Sequence, residues 1–145
     1  MWKTYRSIIH QYPRISIQEE RRLIRKAKRG SKKEADELVL RHIGFVIFRI
    51  CRRTFSPYVK RFGEDLLSQV ISTLYGKIRT YNLRYKDKSG NFKPVRFVSY
   101  IWKHVDGLVL QSLKKELLNE RLSKELFEEL IPSTSQIFSQ RMERR

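Results

Sequence analysis

Apolar residues recur at intervals of three and four along most of this chain, the spacing that places side chains on one face of an α-helix. The longest such row lies between residues 31 and 54 and comprises Ala35, Leu38, Val39, Ile43, Val46, Ile47 and Ile50. No segment shows the alternation of period two that marks a half-buried strand. The sequence therefore predicts an all-α fold, a helical bundle of about four to six helices.

Capping residues and prolines indicate the boundaries of the first helices. Pro13 ends a short N-terminal helix. Ser16 and Ser31, each followed three residues later by Glu, have the form of capping boxes that begin the next two. The helix that follows Ser31 is predicted to run to about Thr54, before Ser56-Pro57 interrupts it.

The second half of the chain is predicted to hold two more core helices and an amphipathic extension. One helix begins near Gly63-Glu64-Asp65, where two carboxylates complement the helix dipole. It ends before a basic loop over residues 82–94, whose turn is Ser89-Gly90-Asn91. Pro94 is placed to open the next helix, and a further amphipathic stretch covers residues 116–131.

The chain carries 32 Lys and Arg against 15 Asp and Glu, a formal net charge of +17. A small domain with this excess repels itself unless a polyanion lies nearby, either nucleic acid or an anionic membrane face. Residues 38–115 hold 16 basic and 4 acidic side chains, whereas residues 116–145 hold 5 basic and 6 acidic. We therefore expect the polyanion to contact a domain of residues 1–115, followed by a helix at 116–131 and a flexible tail at 132–145.

Several kinds of chemistry have no residue pattern in this sequence. His10, His42 and His104 are far apart and show no metal-ligand spacing, and no glycine-rich phosphate loop occurs. The lone Cys51 excludes an intrachain disulfide and is expected to be a small buried hydrophobe. No apolar stretch approaches the roughly 20 residues of a membrane span, and no signal-peptide core is present. We expect a cytoplasmic protein that is not an enzyme, has no metal or cofactor and contacts no membrane.

Residues 81–104 interleave aromatic rings with cations. The rings are Tyr81, Tyr85, Phe92, Phe97, Tyr100 and Trp102, and the cations are Arg84, Lys86, Lys88, Lys93, Arg96 and Lys103. Cations bind phosphates in any sequence, and flat rings stack on bases that have left a duplex, each worth about 1–3 kcal/mol. The pattern favours a protein that holds a single strand or a flipped base. The alternative is that half of the rings are core and the cations only solvate the surface.

Four short segments follow one another along the chain. They are Ile15-Ser16-Ile17-Gln18-Glu19-Glu20, Glu34-Ala35-Asp36-Glu37-Leu38-Val39, Asp65-Leu66-Leu67-Ser68-Gln69 and Phe97-Val98-Ser99-Tyr100. In this order and at nearly this spacing they resemble the sigma factor family of bacterial RNA polymerase, its region 2 in particular, over roughly residues 14–115. The resemblance implies a transcription initiation factor that binds core polymerase and recognises and melts the promoter −10 region.

The resemblance implies roles for individual positions. In the family, the third of these segments grips a coiled coil on the largest polymerase subunit. The matching residues here are Asp65, Leu66, Leu67 and Gln69. The family's aromatic helix captures flipped promoter bases. That role falls to Tyr81, Phe97, Ser99 and Tyr100. On charge alone, the candidates for phosphate contacts are Arg84, Lys86, Lys88, Lys93 and Arg96.

Some positions depart from the family pattern. Lys103 and His104 occupy the places of a tandem Trp pair that wedges against the upstream edge of the bubble, and both remain candidates for DNA contacts. Trp102 lies one residue earlier, on a different helix face, which favours a place in the core. Where the family has a Gln that reads the upstream base pair, this chain has Gly107. We therefore expect promoter melting to start differently and assume no standard −10 sequence.

Nothing after residue 115 resembles the domain with which other sigma factors read the −35 element. The layout is most similar to compact phage factors that drive late genes and depend on accessory proteins attached through the C-terminus. Ser135-Gln136-Ile137-Phe138 is a candidate for such an attachment peptide, and a disordered tail is the alternative. The location implied is the cytoplasm of a bacterial cell or of a phage-infected host.

Three functions compete on the sequence alone. The first is a sigma-type initiation factor whose partners are core RNA polymerase and promoter DNA. The second is a nucleic-acid-binding adaptor, such as one half of a split sigma factor or a regulatory subunit of polymerase, which the missing Trp pair favours. The third is a basic helical RNA- or ribosome-binding protein, which only the net charge supports.

Overall fold

The computed structural model describes residues 2–130, and these form six helices. The helices are α1 (Lys3–Gln11), α2 (Ile17–Lys28), α3 (Lys32–Leu40), α4 (Ile43–Arg53), α5 (Ser56–Thr80) and α6 (Phe97–Leu130). No strand occurs within residues 2–130, where one isolated bridge pairs Lys86 with Phe92. The predicted all-α fold is confirmed. The predicted tail at 132–145, with the candidate peptide at 135–138, lies outside the described residues.

Contacts divide the chain into two units, one ending at Ser112 and one beginning at Leu113. In the first unit, the apolar rows predicted from the sequence form the core. Side chains that are at most 2% exposed include Leu23, Ile24, Leu38, Val39, Val46, Ile50, Leu66, Leu67, Val70, Leu74, Phe97, Ile101, Val105 and Val109. Burying one such large side chain stabilises the fold by about 1.5–3 kcal/mol relative to leaving it exposed.

The two predicted capping boxes behave differently. Ser16 acts as predicted, because its hydroxyl oxygen accepts the Glu19 amide at 3.2 Å and caps α2. The Ser31 hydroxyl instead donates to the carboxylate of Glu34 and caps no amide of α3. Between these helices Gly30 has a φ of 101°, a left-handed conformation that residues with a Cβ rarely adopt.

The single helix predicted over residues 31–54 is two helices, because the chain breaks at His42. In a continuous helix the His42 amide would donate to the carbonyl of Leu38. Here that amide donates to the carbonyl of Val39 at 3.0 Å, while Nδ1 of the His42 ring lies 2.7 Å from the Leu38 carbonyl oxygen. The side chain thus replaces the main-chain bond. Burial lowers the pKa of His42, whose ring packs edge-on against Phe97 at 5.0 Å.

The start of α5 also differs from the prediction. This helix begins at Ser56 and not near Gly63, so residues 56–62 are helical as well. Pro57, which the sequence predicts to interrupt a helix, occupies the first turn of α5. A proline is favourable there because the first amides of a helix have no acceptor within it.

The last helix is longer than predicted. It begins at Phe97, after Pro94 and not at it, and continues without a break to Leu130. The stretch at 116–131 that the sequence indicated as a separate element is therefore, as far as residue 130, the second half of α6. Gly107 does not interrupt α6.

Two side chains that the sequence placed in the core lie at the surface. Cys51 is exposed on α4, where Val46 and Ile50 belong to the buried face. Trp102 is 45% exposed on α6, and its ring packs edge-on against Phe45 with centroids 5.7 Å apart. Both expectations of burial are wrong, because each side chain lies beside the buried row of its helix and not within it.

The start of α6 is held by a carboxylate from α2. Glu20 is 5% exposed, and its Oε1 accepts the backbone N–H of Phe97 at 2.6 Å. This amide is among the first of α6, which have no acceptor within the helix, so Glu20 acts as a cap from elsewhere in the chain. Arg96 Nη1 lies 3.5 Å from the other Glu20 oxygen and donates to the carbonyl of Ile15 at 2.7 Å.

Two kinds of feature are absent from residues 2–130. None of the helices in this range is both long enough and apolar enough to cross a membrane. In the same range, no three His, Cys, Asp or Glu side chains are grouped so that they could hold a metal ion.

Glu20→Ala tests whether this carboxylate holds the start of α6. The substitution removes the acceptor of the Phe97 amide and the partner of Arg96, so we expect the free energy of unfolding to fall by about 3 kcal/mol. Glu19→Ala is the matched control, because Glu19 is exposed and its ion pair with Arg22 is worth at most about 1 kcal/mol. Urea unfolding followed by circular dichroism measures both variants. Equal losses of stability would contradict the capping role.

Candidate nucleic-acid interface

Two cations of α2 fix the end of α5 and the loop that follows it. Lys28 Nζ donates to the carbonyl oxygens of Arg79 at 2.9 Å and Tyr81 at 2.6 Å. These are acceptors that the end of a helix leaves without partners, and the dipole there favours a cation. Arg21 Nη2 donates to the carbonyl of Leu83 at 2.7 Å. The backbone that carries the next aromatic residues is therefore tied to α2.

Two tyrosines meet where α5 ends and α6 begins. The rings of Tyr81 and Tyr100 lie edge-to-face, with centroids 5.4 Å apart at an angle of 88°. Tyr81 is buried, its hydroxyl donates to the carbonyl of Val95, and burial raises its pKa. Tyr100 is partly exposed, its hydroxyl lies 2.6 Å from that of Thr80, and Lys77 Nζ lies 5.9 Å from its ring centre. Tyr81 thus fixes the ring of Tyr100, which stays accessible in part.

The loop between α5 and α6 doubles back on itself. The Lys93 amide donates to the carbonyl of Tyr85 at 3.1 Å, so these two residues are neighbours across the loop. At its tip the Asp87 carboxylate accepts the Ser89 amide at 2.9 Å, an Asx-type turn. Gly90 has a φ of 80°, and the turn predicted at this glycine is confirmed.

A cavity of about 360 Å³ opens where the tyrosines and the loop meet. It is lined by Thr80, Tyr81, Asn82, Tyr85, Lys93, Val95 and Tyr100. Its volume lies within the range of about 300–1,000 Å³ that is typical of ligand pockets. The accessible rings of Tyr85 and Tyr100 and the ammonium group of Lys93 match the needs of a flipped base, which requires flat surfaces for stacking and a cation near its phosphate.

The chain around this cavity is strongly basic. Residues 77–104 contain eight Lys and Arg side chains and one acidic side chain, Asp87, whose carboxylate is engaged in the loop turn. Such an excess attracts a polyanion whatever its base sequence, and the attraction weakens as salt is added. The charge and the aromatic cavity therefore point to the same class of ligand, a nucleic acid with an accessible base.

Most of the residues predicted to contact DNA are accessible. The exposed ones are Arg84, Lys86, Lys88, Lys93, Ser99, Lys103 and His104. Of these, Lys93 lines the cavity itself, together with the partly exposed Tyr100. The others lie on the loop or on the accessible side of α6.

Three of the predicted DNA contacts need correction. Phe97 is fully buried, so its ring cannot stack on a base in this fold; it packs 6.2 Å from Tyr100 and supports that ring. Tyr81 is 2% exposed and forms part of the cavity wall, with little surface left for stacking. The Arg96 guanidinium is engaged with Glu20 and Ile15, so it positions α6 and is not placed for a phosphate.

Lys103 and His104 lie one turn further along α6. They line a second cavity of about 190 Å³ together with Gly107, Leu108 and Gln111. Helical spacing places Tyr100 on the same face as this cavity. The positions at which the family has its Trp pair are therefore close to the aromatic cavity, but they carry an ammonium and an imidazole.

The residues matched to the polymerase contact divide into two pairs. Leu66 and Leu67 are 0% and 1% exposed, so they belong to the core and their prediction as contacts is wrong. Asp65 is exposed, and Gln69 is half-buried one turn later on α5. Asp65 and part of Gln69 therefore lie at the surface, while the leucines hold α5 in place.

Three residues that shape the site are not among the individually predicted DNA contacts. Tyr85 is 46% exposed and lines the cavity, and the signal for it was its position among the cations of the loop. Nothing in the sequence indicates the roles of Arg21 and Lys28, because a cation on an amphipathic helix is most often solvated. Their bonds to the carbonyls of the loop become visible only in the folded chain.

Comparison with known proteins adds no relative. No protein-family model, no curated protein and no solved structure matches this chain.

Neutralising the loop lysines tests the electrostatic part of this interface. The loop variant replaces three lysines by Gln, at Lys86, Lys88 and Lys93. The control variant replaces three exposed lysines of α3 and α5 by Gln, at Lys32, Lys33 and Lys60. We expect the loop variant to flatten the slope of log affinity against log salt for single-stranded DNA by about 0.7 per lost contact. Fluorescence anisotropy over a salt series measures the slope. The same flattening in the control would show that only the net charge matters.

Proposed function

We propose that this chain is a sigma-type transcription initiation factor that binds bacterial core RNA polymerase and holds an unpaired promoter strand while the −10 region opens. The observation that carries the proposal is the cavity of about 360 Å³ formed by Tyr81, Tyr85 and Tyr100, with Lys93 at its edge. The resemblance of four ordered segments to the sigma family supports it. The basic surroundings of the cavity support it as well.

The energetics of the cavity suit strand opening. A base that enters it stacks on the accessible parts of Tyr85 and Tyr100, and each stacked base contributes about 1–3 kcal/mol. Extruding one base from a duplex costs a few kcal/mol, so stacking offsets much of that cost. The exposed loop cations bind the phosphates on either side, which adds affinity without selecting a base sequence.

The exposed side of α5 is the proposed contact with polymerase. Asp65 and Gln69 lie one helical turn apart on this side. Leu66, Val70 and Leu74 bury the opposite side and fix the helix, so the two polar side chains are presented on a rigid element. A carboxylate at this place suits a basic partner surface, because complementary charge speeds association and excludes acidic partners.

A second function is favoured by one observation. Lys103 and His104 are exposed where the sigma family has a tandem Trp pair, so no aromatic wedge stands at these positions. Trp102 is 45% exposed, but it lies on a different face of α6, where its ring packs edge-on against Phe45. A chain without the wedge would bind strands that are already open, as an adaptor or as one half of a split factor. The two functions differ in whether the complex opens duplex DNA.

Strand opening by the wild-type complex separates these functions, and Tyr100→Ala tests whether the aromatic ring takes part in it. Removing the ring abolishes stacking but leaves the surrounding cations, so duplex affinity and its salt dependence should stay close to wild type. Strand opening by the complex with polymerase should fall about tenfold or more, which corresponds to one lost stacking contact. Permanganate reactivity of thymines in the bubble measures opening.

The conservative variant Tyr100→Phe is the matched control for this experiment. It keeps the ring and loses only the hydroxyl contact with Thr80, so it should open promoters almost as well as wild type. A template with a pre-opened bubble should restore part of the activity of Tyr100→Ala, because the cost of unpairing is removed. Full opening of duplex promoters by Tyr100→Ala would contradict the proposed role.

A further inference from the structure

The second half of α6 has an apolar face that no part of residues 2–130 covers. Every side chain from Leu118 to Leu130 is exposed. Three of them, Leu118, Leu122 and Leu126, are apolar, more than half exposed and lie on one side of the helix; Leu130 lies at its edge and Phe127 on another side. Contiguous apolar surface of this kind marks a site of interaction.

The residues on this face are arranged symmetrically around Leu122. Leu118 and Leu126 lie four residues before and after it, and Lys115 and Glu129 lie seven residues before and after it. In an α-helix with 3.6 residues per turn, all four lie within about 40° of Leu122 around the axis. The face therefore has a basic end, an apolar middle and an acidic end.

We propose that this face is the interface of a homodimer, in which the second halves of α6 from two copies pack antiparallel across a two-fold axis at Leu122. The two-fold axis places Leu118 of one copy against Leu126 of the other, and Lys115 against Glu129. A parallel pair would place Lys115 against Lys115 and Glu129 against Glu129, and like charges disfavour it. The charge pattern thus selects an antiparallel second copy.

The charge balance of this segment supports the same occupant. Residues 113–130 carry four basic and five acidic side chains, whereas residues 38–112 carry 14 basic and four acidic. The basic regions of two copies repel each other, whereas residues 113–130 are nearly neutral and can approach the same segment of a second copy without net repulsion. A nucleic acid, by contrast, finds no excess of positive charge here. The inference does not depend on the proposed function, since none of these residues lines the aromatic cavity.

Leu122→Glu tests the apolar centre of the interface in the full chain. Sedimentation equilibrium should show a wild-type dimer with a dissociation constant on the order of micromolar, and the variant should raise this constant about tenfold or more. Ser123→Glu is the matched control, since it adds the same charge about 100° away around the helix. It should leave the dimer intact. Circular dichroism should show the same helicity for all three proteins.

Charge reversal tests the antiparallel register. Lys115→Glu alone and Glu129→Lys alone should each weaken the dimer about tenfold at low ionic strength, because each converts two attractive contacts into repulsive ones. The double variant should restore wild-type affinity, since the opposite charges again face each other. In a parallel dimer the double variant would gain nothing.

Three results would overturn the proposal. One is a wild-type chain that stays monomeric up to about 100 µM. That result would be expected if the residues after 130 covered this face, or if the face bound a different protein. Another is a dimer that Leu122→Glu does not weaken, which would locate the interface elsewhere. The third is a failure of the double charge reversal to restore affinity, which would exclude the antiparallel register.

Discussion

Glu20 lies on α2, yet its buried carboxylate accepts the backbone N–H of Phe97 at the start of α6. The same carboxylate neighbours Arg96, which in turn binds the carbonyl of Ile15. The place of Tyr100 in the candidate site follows from where α6 begins, because the first turn of this helix carries Tyr100 to the ring of Tyr81. The aromatic cavity thus depends on one long-range capping contact as much as on its own lining residues.

The sequence predicts the fold well where local rules act. The apolar rows of α2 to α6 are periodic, and the Ser16 cap needs only neighbours in sequence, so both are confirmed. The break at His42 was not predicted, because it depends on a ring nitrogen that takes the place of a backbone amide. The start of α5 differs from the prediction for another reason. A proline can interrupt one helix and also suit the first turn of the next, and Pro57 lies in the first turn of α5.

The candidate site was only partly predictable. Interleaved rings and cations indicate the segment that forms it, and Tyr100 and Lys93 do line the cavity. The sequence does not distinguish a ring that lines a cavity from one that fills the core. The predicted contact of Phe97 with DNA is therefore wrong, because the ring is buried. Leu66 was misassigned for the same reason. Burial depends on packing between distant segments, which periodicity along one helix does not reveal.

Initiation by a reconstituted complex tests the central claim most directly. The full chain is mixed with bacterial core RNA polymerase, the complex is isolated by size exclusion, and transcript 5′ ends are mapped on duplex DNA. A sigma-type factor co-elutes with the polymerase and starts transcripts at defined positions that core polymerase alone does not use. Failure to co-elute, or start sites as scattered as those of core polymerase alone, would contradict the proposed function.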